Sequence, residues 1–161
     1  MDRQNLRRLL LRYNSIYKDT DQVYHQFARA FGLSDCAFWI LYLLEESDRT
    51  YTQAEICDTL SFARQTVNSA LKSMQAQGTI HLVPDEHSKK NKLACLTPQG
   101  EQFVRATVDR VIDAELSTLE QFSPEEREFF LNLNQKYAIC LRREEEKLLA
   151  SLPENEKPNC E

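Results

Sequence analysis

The apolar positions along this chain recur mostly at helical spacing. Between residues 4 and 31 they fall at Leu6, Leu9, Leu10, Tyr13, Ile16 and Tyr17, then at Val23, Phe27 and Phe31. Steps of three and four put them on one stripe of an amphipathic helix. Gly32 predicts the stop of that helix, and Ser34 predicts the cap of the next. Residues 35–46 are apolar nearly all round, which predicts a central, buried helix. Ser47-Asp48-Arg49 breaks the pattern. Thr52 with Glu55 three residues on then reads as a capping box at the start of a short helix that turns Ile56 and Leu60 inward. A further helix is expected to open at Ser61, with Val67, Ala70, Leu71 and Met74 inward and Gly78 as its left-handed terminator.

After Gly78 the period changes. Residues 80–83 and 92–96 are short strand candidates around the polar stretch PDEHSKKN, which suits a hairpin tip. Thr97 and Pro98 predict a cap and a first helical position, because the missing proline N–H costs nothing there. One long helix is expected from that point through Phe103, Val104, Thr107, Val108, Val111, Ile112, Leu116 and Leu119. Ser123-Pro124 repeats the cap, and a last helix carries apolar residues from Phe129 to Leu149. The tail 153–161 is polar and reads as disordered.

The order is short helix, turn, helix with a polar face, and two strands around a lysine-bearing tip. That is the order of a winged helix-turn-helix, a device that lays one helix in the major groove while a loop touches the backbone. The expected fold is mainly α with a small β wing. Its segments are an N-terminal dimerisation helix at 1–34, a DNA-binding region at 35–97 and C-terminal dimerisation helices at 98–152. Long amphipathic helices at both ends must bury their apolar faces against something. A second copy of the chain is the economical partner, since two-fold dimers dominate soluble oligomers. A symmetric dimer also suits a pseudo-palindromic operator in double-stranded DNA.

Net charge is −5 over 161 residues, which is unexpected for a DNA-binding chain until it is divided. Residues 1–60 carry a net −2, residues 61–100 a net +3 and residues 101–161 a net −6. The positive block coincides with the expected reading helix and wing, and phosphate contact depends on local charge. On the helix, Arg64, Gln65, Asn68 and Lys72 form a polar stripe. Arginine can read guanine with two bonds, and glutamine or asparagine can read adenine likewise, so Arg64, Gln65 and Asn68 are the base-contact candidates. Thr66, Ser69 and Lys72 suit phosphate or sugar, and Ser61 is a further DNA-binding candidate. Lys89, Lys90 and Lys92, with His87, supply charge at the wing.

Three short segments carry a family resemblance. They are Thr52-Gln53-Ala54-Glu55-Ile56, the run from Gln65-Thr66-Val67-Asn68-Ser69 to Gly78-Thr79-Ile80, and Leu96-Thr97-Pro98-Gln99-Gly100. Together they resemble the MarR family of bacterial transcriptional regulators, whose L-T-x-x-G signature the last one matches. Many members carry an Asp-x-Arg at the wing tip, where this chain has Ser88-Lys89-Lys90. Leu82 stands near a position where an arginine often falls. Lysine keeps the charge but loses the planar fork. The resemblance implies a dimeric DNA-binding regulator, a repressor in the first instance, released or modulated by a small molecule or an oxidant. It also implies a pocket between the dimerisation helices and the DNA-binding lobe for a small aromatic or lipophilic effector. Tyr13, Tyr17, Phe38, Trp39, Tyr42 and Tyr51 are its candidate lining, with core packing as the plainer role for the same rings.

Other classes find less support. Five scattered cysteines, with no C-x-x-C, suit neither a disulfide framework nor a structural zinc site. Cys36 is the redox candidate: a helix start would lower its pKa, while burial would leave it inert. His25, His81 and His87 lie in no catalytic or metal motif, and no serine lies in G-x-S-x-G. His25 with Asp21 is at most half of a metal site. No motif asks for a cofactor, and an enzyme is not expected. No run of about 18 apolar residues exists, and no secretory signal is read at the N-terminus, so a cytoplasmic protein without a membrane span is expected. The alternative function is a winged-helix module for protein contacts that does not bind operator DNA.

Overall fold

The computed structural model describes residues 2–47, 49–85 and 88–153. It divides into two compact units, Met1–Asp113 and Ala114–Glu161. Each follows from local caps and apolar stripes.

In the first unit, helix α1 spans Arg3–Ala30, and Asp2 caps it by accepting from the Gln4 N–H at 3.2 Å. Gly32 at φ +71 ends it as expected, because a left-handed residue without a Cβ carries little strain. Helix α2 spans Asp35–Glu46 under the Ser34 cap. It is the hub of the core: Phe38, Ile40 and Leu41 are wholly buried. The two-residue strand β1 (Tyr51–Thr52), which the periodicity does not announce, leads into α3 (Gln53–Leu60). The capping box there is complete, with Glu55 N–H to Thr52 Oγ1 at 3.3 Å and Thr52 N–H to Glu55 Oε2 at 2.7 Å.

Helix α4 spans Arg64–Ala76 and turns Val67, Ala70, Leu71 and Met74 into the core. Gly78 at φ +72 terminates it. Strands β2 (Ile80–Asp85) and β3 (Ser88–Leu96) form an antiparallel hairpin, longer than the apolar runs suggest. The sheet order is β1-β3-β2, so β2 is an edge strand. An edge tolerates Pro84, which cannot donate to a ladder, and the register shifts between Pro84 and Asp85.

The long helix expected after Thr97 is in fact two, α5 (Pro98–Ala106) and α6 (Val108–Glu120). The break is at Thr107, with φ −128 and ψ −75. Its hydroxyl donates to the Phe103 carbonyl at 2.7 Å, a local bond that competes with regular helix. The apolar stripe runs through the break because Val104, Thr107, Val108 and Val111 are all buried. Periodicity therefore does not mark it.

In the second unit, Ser123 and Glu126 form the capping box of α7 (Pro124–Ser151). Arg127 Nε donates to the Leu119 carbonyl at 2.7 Å, fixing the turn between α6 and α7. Helix α7 buries none of its residues within the chain. Among the described residues no single helix is long and apolar enough to cross a membrane.

Candidate nucleic-acid interface

The turn between α3 and α4 sets where α4 begins. Ser61 does not open α4, as the polar run suggests. It sits at φ 55, ψ 31 as the left-handed cap of α3. Helix α4 begins three residues later, at Arg64, behind Ala63, which provides no side-chain cap. Three consequences follow. Arg64, Gln65 and Thr66 form the exposed first turn. The first N–H groups of α4 have no side-chain acceptor at the cap, and such donors suit an anion. Ser61 itself is exposed in the turn, beside the helix rather than on it.

Helix α4 presents Ser69 and Lys72 on its exposed side as well, while Asn68 is half-buried. The predicted polar stripe is therefore continuous from Arg64 to Lys72. One positioning contact escapes sequence reasoning. Gln53 Nε2, at the start of α3, donates to the Arg64 carbonyl at 3.2 Å. It ties the two helix starts across the turn. No periodicity links residues eleven apart across a turn, so no pattern could have signalled it.

The wing is anchored at its base. Thr97 Oγ1 accepts from the Gly100 N–H at 2.9 Å and donates to the Gly78 carbonyl at 2.5 Å. The Thr97 N–H reaches the Thr79 carbonyl at 3.1 Å. The exit of α4, the base of the hairpin and the start of α5 are thus locked together. Lys92 is exposed on β3 opposite Pro84. Lys89 and Lys90 lie on β3, but their side chains are outside the described residues, as is His87 altogether.

The aromatic candidates separate. Phe38, Trp39 and Tyr42 gather on α2, with ring centroids 5.2 Å apart for Phe38–Trp39 and 5.4 Å for Trp39–Tyr42. Tyr24 of α1, which the residue pattern did not single out, joins them 4.9 Å from Trp39. Phe38 is wholly buried core. Tyr51 is buried on β1, and its ring lies 4.1 Å beneath the Arg49 guanidinium. Hydrogen bonds from Ser47 and Arg49 hold its phenol below the ordinary range. Tyr13 and Tyr17 are on the exposed side of α1.

Cys36 stands in the first turn of α2 and is 4% exposed. Burial, with a smaller contribution from Cys57, pushes its thiol up to about 11, against the lowering that a helix start alone would give. His25 Nδ1 pairs with Asp35, 2.8 Å from Oδ1 and 3.0 Å from Oδ2, which links α1 to the start of α2.

A helix pair joined by a tight turn, followed by a hairpin wing, defines the winged helix-turn-helix class. Residues 31–90 match the model of the MarR family. The fold agrees along most of the chain's length. MepR of S. aureus in its DNA-binding conformation aligns with a TM-score of 0.70 at 22% identity, over 83% of this chain and 98% of that one. The transcriptional regulator BldR of Sulfolobus solfataricus aligns with a TM-score of 0.65 at 16% identity, over 86% and 99%. BpsR of Bordetella bronchiseptica, whose DNA binding is regulated by 6-hydroxynicotinic acid, aligns with a TM-score of 0.60 at 19% identity, over 80% and 90%. No curated protein matches the sequence significantly. The chain thus has the winged helix-turn-helix fold, and its residues 31–90 are similar to the MarR family.

Proposed function

We propose that the protein is a DNA-binding transcriptional regulator that reads a pseudo-palindromic operator as a two-fold dimer. The observation that carries this reading is the exposed stripe on α4. Arg64 and Gln65 stand in its first turn, followed by the half-buried Asn68 and by Ser69 and Lys72, all behind a turn tied by Gln53. Arg64, Gln65 and Asn68 reach base edges; Thr66, Ser69, Lys72 and the wing lysines hold the backbone. Ser61, in the turn, is a backbone contact.

The dimer reading rests on apolar surface. On α1, Leu6, Leu9, Leu10, Ile16 and Tyr17 are all exposed, and on α7 Phe129, Phe130, Leu133, Tyr137 and Leu141 are too. Exposed apolar area of this extent marks an interface in a monomer. Repression is the simplest outcome of operator occupancy, with a small aromatic or lipophilic compound as the modulating signal. The high pKa of Cys36 favours a small-molecule signal over an oxidant.

Replacing Arg64 or Asn68 by alanine tests the reading. The expected result is loss of about 1–3 kcal/mol of discrimination at one base position each, with the dimer intact by sedimentation. A variant that reads the same sequence as well as the parent overturns it.

A further inference from the structure

The start of α4 is held from outside the helix. Arg64 is its first residue, and Ala63 gives the first turn no side-chain acceptor. The opening N–H groups of a helix have no partner within it. Regular bonding begins only at Val67, whose N–H reaches the Ala63 carbonyl at 3.1 Å. Helix ends of this kind fray. The core anchors of α4 are the buried Val67, Leu71 and Met74, and the exposed Arg64 precedes them all. Among the described residues, the side chain that hydrogen-bonds this turn from another element is Gln53, whose Nε2 donates to the Arg64 carbonyl at 3.2 Å.

Gln53 is itself fixed. It is half-buried and follows Thr52 directly. The Thr52 N–H and hydroxyl bond the Glu55 carboxylate at 2.7 and 2.9 Å, which closes the start of α3. Thr52 also pairs with Leu93, and Tyr51 with Ala94, on the wing strand β3. The tie from Gln53 therefore refers the first turn of α4 to the sheet. Placement matters most at that turn, because a two-bond contact from arginine to a base needs its side chain held to about 0.5 Å and 10–20°.

We propose that Gln53 is a positioning residue for base reading: by holding the Arg64 carbonyl it sets where Arg64 presents its guanidinium. The base-reading clause rests on the role proposed above for Arg64; the hold on the first turn does not.

Gln53→Met keeps the reach and neutrality of the side chain and removes the donor. Selection from random duplex DNA with the full chain gives a preferred sequence. Duplexes changed singly at each of its positions are then titrated with the parent, Gln53→Met, Arg64→Ala and the double variant. Gln53→Met should lower discrimination about two- to tenfold, the effect of one hydrogen bond, at the base pair where Arg64→Ala lowers it. Other positions should keep theirs, and the double variant should match Arg64→Ala. Unchanged discrimination, a loss spread equally over all positions, or an additive loss in the double variant would each overturn the proposal. Urea unfolding checks that Gln53→Met folds. Without DNA, amide exchange at Val67 and Asn68 should run about two- to tenfold faster in Gln53→Met, with α3 unchanged. Unchanged exchange would overturn the hold itself. A parent that enriches no sequence overturns the regulator reading instead, and exchange alone then decides whether Gln53 holds the turn.

Discussion

The carbonyl of Thr79 occupies the space that a Cβ on Gly100 would need. Helix α5 begins so close to the exit of α4 that only glycine fits its third position, where the Gly100 N–H also bonds Thr97 Oγ1. The glycine of the L-T-x-x-G segment is thus a steric requirement at the base of the wing. Gly100→Ala should lower stability by about 1–3 kcal/mol, the usual cost of forced overpacking. Urea unfolding measures it. An unchanged midpoint would mean that the backbone of Thr79 yields freely.

Ser61 holds a left-handed conformation at the turn that sets α4. A β-branched side chain is strained at positive φ, by about 1–2 kcal/mol. Ser61→Val should lose that much stability, while Ser61→Gly should hold or gain. The two variants are compared by chemical denaturation at one pH. Equal effects would show that the turn relaxes to another conformation.

Two carboxylates should push acid stability in opposite directions. Hydrogen bonds from the Thr52 N–H and hydroxyl hold Glu55 below the ordinary carboxylate range. Its folded pKa is depressed, so its contribution is present above roughly pH 4.3 and is lost as pH falls through the folded value. Desolvation and the neighbouring Asp109 raise Glu45. Its contribution is fully present below roughly pH 4.3 and is lost as pH rises through the raised value. Glu45→Gln should therefore be more stable than the parent near neutrality, with the gap closing in acid. Glu45 is solvent-exposed, so screening keeps that gap small. Glu55→Ala should be less stable near neutrality, and its deficit should shrink in acid. Unfolding curves between pH 3 and 7 decide both.

A buried thiol raised to about 11 is a poor nucleophile at neutral pH. Cys36 should be alkylated by iodoacetamide far more slowly than an unstructured cysteine peptide, with a rate that climbs steeply in base. Mass spectrometry of the modified peptide follows it. Rapid labelling at pH 7 would return Cys36 to candidacy as a sensor.

Much of this fold is legible in the sequence because caps and stripes are local. Ser34, the Thr52–Glu55 box, Thr97-Pro98 and the Ser123–Glu126 box each name a helix start. Gly32 and Gly78 name two ends, and the inward faces of α2 and α4 follow from spacing. What stays hidden is tertiary. The left-handed Ser61 places the start of α4 three residues later than its polar run suggests. The buried stripe runs unbroken through Thr107, so one helix is expected where two form. Gln53 to Arg64, Tyr24 to Trp39 and His25 to Asp35 join residues that no periodicity relates. The polar stripe on α4 is legible, because a helix face that avoids the core is written in every third or fourth letter.

The most direct test of the regulator reading is fluorescence anisotropy of the purified protein against its own upstream intergenic DNA and a shuffled duplex, at two salt concentrations. Backbone contacts weaken with salt for any sequence, whereas base contacts preserve the preference. The account predicts tighter binding to the native duplex that persists at the higher salt and shrinks by about 1–3 kcal/mol in Arg64→Ala. Equal affinity for both duplexes, carried over to a selection from random sequence that enriches no motif, would contradict it.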